Sequence, residues 1–321
     1  MNPTSEPKRI LITGVGGDIG QSAIKCLKDS IYKLYLLGCD IDQYAAGKKD
    51  VETFFQAPHA SATKEYFEFI KGIIESTGLN YILPTTEAEI EFYDANRKEL
   101  YEYGVRLLIN DSQIINTFLN KYRTINFFKK NGINFPVTFK LSEYNNELGF
   151  PVIAKPEKGS GSKKIEILCD ENDLSYIKKK YKDSIIQEII GNIDEEYTMG
   201  IFSDGNRIHS IAFRRYLGYG SLTKFAELII DSEIESLAVH IAKACKLKGS
   251  INVQMRKTEK GFVPFEVNPR LSSTVYFRHF FGFRDLEWWI NMNEGFQNEY
   301  RLKYTKGIGV RTINETFFEL K

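Results

Sequence analysis

The first 110 residues alternate short apolar runs with stretches whose apolar positions recur at helical spacing. Arg9–Thr13 (RILIT) reads as a strand ending in glycines, and Ile19–Leu27 carries its apolar residues on one helical face. Leu34–Cys39 and Asn80–Leu83 read as further strands, with helices near Lys64–Glu75 and Glu87–Tyr101, and Val105–Ile109 closes the set. Strands separated by helical segments predict βαβ units and a parallel sheet, because parallel neighbours need a crossover long enough to hold a helix. From Asp111 the pattern changes. Helices are expected over Ser112–Phe118 and Tyr122–Asn131, the second ended by Gly132. Strands are expected over Pro151–Lys155, Lys164–Leu168 and Ser184–Ile190. Glu196–Phe202 and Arg207–Arg215 flank the turn Ser203-Asp204-Gly205-Asn206 and predict a hairpin. An amphipathic helix over Ser232–Cys245 precedes a second hairpin, Ser250–Arg256 with Phe262–Asn268. The expected class is α/β throughout, with one boundary near residue 110.

Composition narrows the function classes. The 321 residues are 42% hydrophobic and 26% charged, which excludes collagenous and disordered chains. With 43 Lys+Arg against 42 Asp+Glu the net charge is +1, so neither nucleic acid nor an anionic membrane is an expected partner. Four scattered cysteines without a CxxC predict reduced thiols rather than a disulfide framework or a zinc site. The amino terminus lacks an apolar core region, and no apolar run approaches the roughly 18 residues of a membrane span. A cytoplasmic location is expected.

Three clusters in the second half carry candidate chemistry. In a strand, residues two apart share a face, so Glu266 and Asn268 point together while Phe265 and Val267 are expected in the core. A hairpin centred on Lys260 sets Gln254 opposite Glu266 and Asn252 opposite Asn268. Gln254, Glu266 and Asn268 then form a set of hard oxygen donors suited to magnesium, with Arg270 beyond them able to grip a phosphate. A solvent-facing hairpin with ordinary polar alternation is the alternative. The strand Pro151–Lys155 delivers Lys155 into the loop Glu157-Lys158-Gly159-Ser160-Gly161-Ser162, whose backbone N–H groups and lysines could cover phosphates. The run Ile185-Ile186-Gln187-Glu188-Ile189-Ile190 ends a strand where backbone groups can meet an adenine edge, and Glu195 and Glu196 follow it. At the other end of the chain, Gly14–Gly20 links a strand to a helix and Asp40 ends the next strand, the setting of a dinucleotide site or of a plain tight turn.

Taken in order, these stretches resemble the ATP-grasp superfamily, and most of all the ATP-grasp proteins related to the large subunit of carbamoyl phosphate synthetase. The resemblance rests on TGVGGDIGQSAIKCL, LPTTEAEIE, NKYRTINFFKKNGINFPVT, PVIAKPEKGSGSKK, QEIIGNIDEEYTMGIFSDG and GSINVQMRKTEKGFVPFEVNPRLSS. It implies a Rossmann-like domain over 1–110, a small lid subdomain with its leading helices over 111–187, and a large subdomain with the metal site over 188–321. It implies Lys121 and Lys155 on the nucleotide, Gly159, Ser160, Gly161 and Ser162 as a lid, and Gln187, Glu188, Ile189 and Ile190 around the base. Glu188 and Ile190 would frame adenine and Glu196 would hold the ribose. Gln254, Glu266 and Asn268 would ligate Mg²⁺, with Mn²⁺ as a substitute, and Arg270 would meet the γ-phosphate or an acyl phosphate.

The implied activity is an ATP-dependent carboxylate–amine ligase working through an acylphosphate on a small acid and an amine, with a homodimer as a compatible assembly. A phosphotransferase acting on a small acid and an NAD-binding oxidoreductase are the competing classes. Carbamoyl phosphate synthesis is not expected, because relatives that perform it carry a second ATP-grasp half. For the acceptor, Ser272, Ser273, Arg278 and one of Arg214 and Arg215 are candidates. Glu87 and Glu89 could reach the cleft or simply favour a helix N-terminus. Phe277, Phe280, Phe281, Phe283, Trp288 and Trp289 are expected as core or an oligomer contact, with the lining of an apolar acceptor pocket as the alternative.

Overall fold

In the computed structural model, which describes residues 7–159, 165–192, 195–218, 222–312 and 314–318, the opening alternation of strands and helices builds a parallel sheet. Its elements are β1 (Lys8–Thr13), α1 (Asp18–Lys28), β2 (Leu34–Asp40), β3 (Thr53–Gln56), α2 (Thr63–Thr77), β4 (Tyr81–Leu83), α3 (Glu87–Ala95), α4 (Arg97–Glu102) and β5 (Arg106–Leu107). The strand order is β3-β2-β1-β4-β5, every pair parallel. The order reverses between β1 and β4, and such a switch point leaves a crevice outside the carboxyl ends of the two strands. The helix expected over Glu87–Tyr101 breaks in two at Asn96, whose side-chain amide and backbone N–H both bond the carbonyl of Phe92.

The next segment contains α5 (Ser112–Phe118), α6 (Lys121–Lys130), β6 (Thr138–Lys140), β7 (Val152–Pro156), β8 (Glu166–Leu168), α7 (Glu171–Lys180) and β9 (Ser184–Glu188). Its four strands form an antiparallel sheet ordered β6-β9-β7-β8. Helix α7, absent from the sequence reading, is capped by Asp170, which accepts the N–H groups of Asn172 and Asp173. It buries only Leu174 and Ile177 against that sheet.

The last segment contains β10 (Glu196–Ser203), β11 (Ile208–Leu217), β12 (Thr223–Ile229), α8 (Ser232–Ala244), β13 (Gly249–Thr258), β14 (Gly261–Asn268), α9 (Val275–Phe280), α10 (Asp285–Glu294) and β15 (Ile308–Val310). These strands form a six-stranded antiparallel sheet ordered β14-β13-β10-β11-β12-β15. One face packs on α8 through Ile234, Ala238 and Ile241. The other shares a core with the parallel-sheet unit, in which Phe213, Phe281, Phe283 and Trp288 join Ile12, Ile24 and Leu27.

Polar ties reinforce that junction. His279 and Arg284 both contact Asp29, at 2.7 and 3.2 Å, and the Asn110 amide donates to the carbonyls of Ser250 and Pro269. The aromatic group is therefore mostly core, with only Phe280 largely exposed. Among the described residues no helix is long and apolar enough to cross a membrane.

Candidate nucleotide and acceptor site

The β13–β14 hairpin has the expected register where it matters: Asn252 faces Asn268 and Gln254 faces Glu266. Its turn, however, is the two residues Glu259 and Lys260, which would shift the pairing by one. A bulge restores it, because Met255 pairs with Pro264 and leaves Phe265 unmatched. A bulged residue turns toward the face of its neighbour. Phe265 therefore leaves the core for the polar side, where its ring lies 4.8 Å from the Lys155 ammonium and 5.6 Å from the Arg256 guanidinium. Only Val267 keeps its expected core place.

On the polar face the Asn268 amide donates to Glu266 Oε1 at 3.1 Å, with Gln254 across the ladder and Thr198 beyond it on β10. The set offers one carboxylate and two amide oxygens. Among the described residues no three His, Cys, Asp or Glu side chains gather to hold a metal by themselves. Such a sparse, all-oxygen set fits an ion like Mg²⁺ that takes most of its ligands from phosphates and water.

Opposite this face, β7 and β9 present Lys155. It is 7% exposed and donates to Gln187 Oε1 at 2.9 Å, while Gln187 donates in turn to Thr138 Oγ1. Burial pulls the Lys155 ammonium down to about 8, against the opposing pull of Glu266; Lys121 and Arg256 push the same way as burial. Gln187 is thus spent on holding Lys155. The narrow slot between the sheets is lined by Ile153, Lys155, Glu188, Ile189, Ile190 and Phe265 among others. It encloses about 20 Å³, room for about one water. Glu188 also accepts the Val137 N–H, and Arg256 donates to the Ile190 carbonyl.

At the edge of the slot Lys121 opens α6. Its N–H bonds the Glu157 carbonyl and its ammonium the Gly159 carbonyl at 2.7 Å, so it sits at the root of the loop after β7. Of the loop, Gly159 is described, whereas Ser160, Gly161 and Ser162 lie outside the described residues. Glu196 accepts the Arg215 Nε–H at 2.8 Å and is close enough to Lys155 to raise its pKa. Arg214 pairs with Glu227 and Glu195, so both arginines are committed to glutamates. Arg278 does not reach an acceptor site either, since it is fully buried beside Asp285. Ser272 bonds Thr274, and Ser273 bonds Thr223.

Arg270 marks the other end of the polar face. One nitrogen donates to the Leu271 carbonyl, another lies 3.7 Å from Glu87 of α3, and its buried Nε has no hydrogen-bond partner among the described residues. It borders a cavity of about 450 Å³ at the switch point between β1 and β4, whose wall includes Gly14, Asp18, Asp40, Tyr66 and Glu89. Asp40 is occupied there: one oxygen accepts the Gly16 N–H and the other the Asp42 N–H. A dinucleotide ribose would have to displace those bonds, so the turn serves better as a fixed wall. The sequence reading missed Phe265, Arg256 and Tyr66, because the bulge and the strand order that bring them here are not periodic signals.

Residues 118–274 match the family model of the ATP-grasp domain. The carbamoyl phosphate synthase large chain of Saccharolobus solfataricus is 25% identical over 301 residues, covering 85% of this chain and 28% of that one. The chain therefore spans only 28% of the length of that relative. The alpha-aminoadipate–LysW ligase LysX of Sulfurisphaera tokodaii is 28% identical over 210 residues, 57% of this chain and 72% of that protein. Among solved structures, N5-carboxyaminoimidazole synthetase from Staphylococcus aureus complexed with ADP superposes with a TM-score of 0.73 at 14% identity, covering 94% of this chain and 82% of that one.

Proposed function

We propose that the protein, whose residues 118–274 match the model of the ATP-grasp domain, is an ADP-forming ligase that joins a small carboxylic acid to an amine through an acylphosphate. The observation that carries this reading is the alignment of Lys155, the Gln254–Glu266–Asn268 face and Arg270 between the slot and the cavity. A carboxylate resists attack by an amine because oxide is a poor leaving group. Phosphorylation supplies a better one. Two anions must then be brought together, and offsetting their repulsion is the protein's main task.

In this reading Glu188, Ile189 and Ile190 meet the base, Glu196 lies toward the ribose, and Lys121 and Lys155 meet the phosphates. Gln187 holds Lys155 in place rather than touching nucleotide. Gln254, Glu266 and Asn268 would hold Mg²⁺, or Mn²⁺ in its place, which when bound neutralises phosphate charge. Arg270, which borders the cavity, receives the acyl phosphate. The loop from Gly159 to Ser162 excludes water that would hydrolyse the intermediate.

Hydroxylamine distinguishes this from the competing phosphotransferase. With Mg-ATP and a pool of amino and small carboxylic acids, a hydroxamate should form together with ADP. ADP accompanied by a stable phosphorylated acid and no hydroxamate would favour the phosphotransferase, and absence of both would end the ATP-grasp ligase reading.

Lys155 gives a pH signature. Its free-protein value is about 8, and bound phosphates favour the charged ammonium, so nucleotide binding raises that value. Affinity for Mg-ADP is therefore full below pH 8 and falls as pH rises through it, by up to about tenfold per unit. Titration calorimetry across that range should record this fall in the wild type and lose it in Lys155→Arg.

A further inference from the structure

We propose that Glu89 is the counter-charge for the amine substrate and the group that takes its proton, and that the switch-point cavity is where the amine binds. This rests on the ligase reading above and adds a substrate class to it: a primary ammonium compound of amino-acid to dipeptide size.

The position comes first. The cavity of about 450 Å³ borders Arg270, so it adjoins the end of the site where an acyl phosphate would lie, and it opens at the reversal of strand order between β1 and β4. Its volume is that of a small-molecule pocket. Ile19, Ile41 and Ala57 supply apolar wall, and Arg270 supplies a cation at one side, partly answered by Glu87.

The second observation is Glu89 itself. It is 8% exposed and lines the cavity, yet no ion pair among the described residues includes it. Its Oε1 accepts the Tyr66 hydroxyl at 3.0 Å and its Oε2 the Thr86 hydroxyl at 2.7 Å. The titratable groups packed on it are Tyr66 from α2, Tyr93 on its own helix and Cys39 from β2. Burial pushes all three upward, so they stay neutral near pH 7. Asp18 and Asp40 add negative charge elsewhere on the wall. A buried carboxylate without a cation is costly, and an ammonium group in the cavity would supply the missing charge. Burial also raises the Glu89 carboxyl above the usual carboxylate range, which makes it a better proton acceptor.

Helix capping explains part of the geometry. Thr86 Oγ1 accepts the Glu89 N–H, forming a capping box at the start of α3. A capping box needs one oxygen, and glutamine serves it equally well. It does not account for the second oxygen, held by a tyrosine that is 1% exposed. In the step proposed, the ammonium gives one proton to Glu89 and the freed nitrogen lone pair attacks the acyl carbon. The bond from that carbon to the phosphate oxygen breaks, its electrons leave with phosphate, the departing phosphate takes the second proton from the nitrogen, and Glu89 releases the first to solvent.

Hydroxylamine is uncharged at pH 7 and needs neither counter-charge nor base, so it separates the two roles. Using the acid identified through its hydroxamate, Glu89→Gln should lose at least about thirtyfold more of the rate with the amino-acid pool than of the rate with hydroxylamine. Its residual amine rate should climb with pH as free amine accumulates. Glu89→Asp, which keeps the charge, should recover part of the amine rate, and it carries the comparison if Glu89→Gln does not fold. Equal losses with both nucleophiles, or no loss with either, would overturn the proposal. A wild type that forms no hydroxamate at all removes the ligase reading, and this proposal with it.

Discussion

Glu266→Gln should release ADP about a hundredfold to a thousandfold more slowly than the wild type, with its fold intact. Glu266 contributes the one carboxylate of the proposed metal face, and the swap removes its charge while keeping its shape and an oxygen for the Asn268 amide. Gln254 and Asn268 are neutral, so no neighbouring ligand restores the lost charge. There is a second consequence. Glu266 is the largest influence raising the Lys155 pKa against burial, so its removal leaves that ammonium weaker as well. Both effects fall on the phosphates. Initial rates of ADP release, with a thermal melt of each protein, separate loss of chemistry from loss of fold. A rate within threefold of the wild type would remove Glu266 from the site.

Asp285→Ala should cost about 3–5 kcal/mol of stability, the largest effect expected from a residue outside the site. Arg278 is fully buried and Asp285 nearly so, 3.1 Å apart, with Asp285 also accepting the Ser250 hydroxyl. The guanidinium has no hydrogen-bonded partner among the described residues, and it lies beside the Phe283 ring. Without Asp285 its charge is left uncompensated in the core that joins the parallel sheet to the six-stranded one. Replacing both residues, as Arg278→Leu with Asp285→Leu, removes the charge and should recover most of the loss. Gly200 supports the same arrangement, since a Cβ there would meet Arg278 Nη1 at 1.9 Å. Urea midpoints for the single and double variants check the claim; a double variant as unstable as the single would contradict it.

Much of this architecture is legible in the chain because its strands obey strong periods. The alternation through Val105 yields the parallel sheet, and the polar alternation of Asn252, Gln254, Glu266 and Asn268 yields the hairpin pairing. The pairing expected from a turn centred on Lys260 holds only because the bulge at Phe265 compensates for a tighter turn. Strand β3 is four residues long and α7 buries two apolar side chains, too little for a periodic signal. Asn96 divides a segment whose apolar spacing reads as one helix. Arg278 reads as a substrate ligand after the Pro269-Arg270 motif, but Asp285 draws it into the core from seven residues away. The cavity at Glu89 depends on the order of β1 and β4 in the sheet, which local patterning does not encode.

In the proposed ligase a carboxylate oxygen attacks ATP before the amine does. The direct measurement uses carboxylic acids labelled with heavy oxygen in the carboxyl group, with Mg-ATP and amine, and reads the isotope content of the released phosphate by phosphorus NMR. An acylphosphate requires one labelled oxygen to appear in each phosphate formed. Phosphate carrying only the oxygens of ATP and water, with ADP still released, would contradict it.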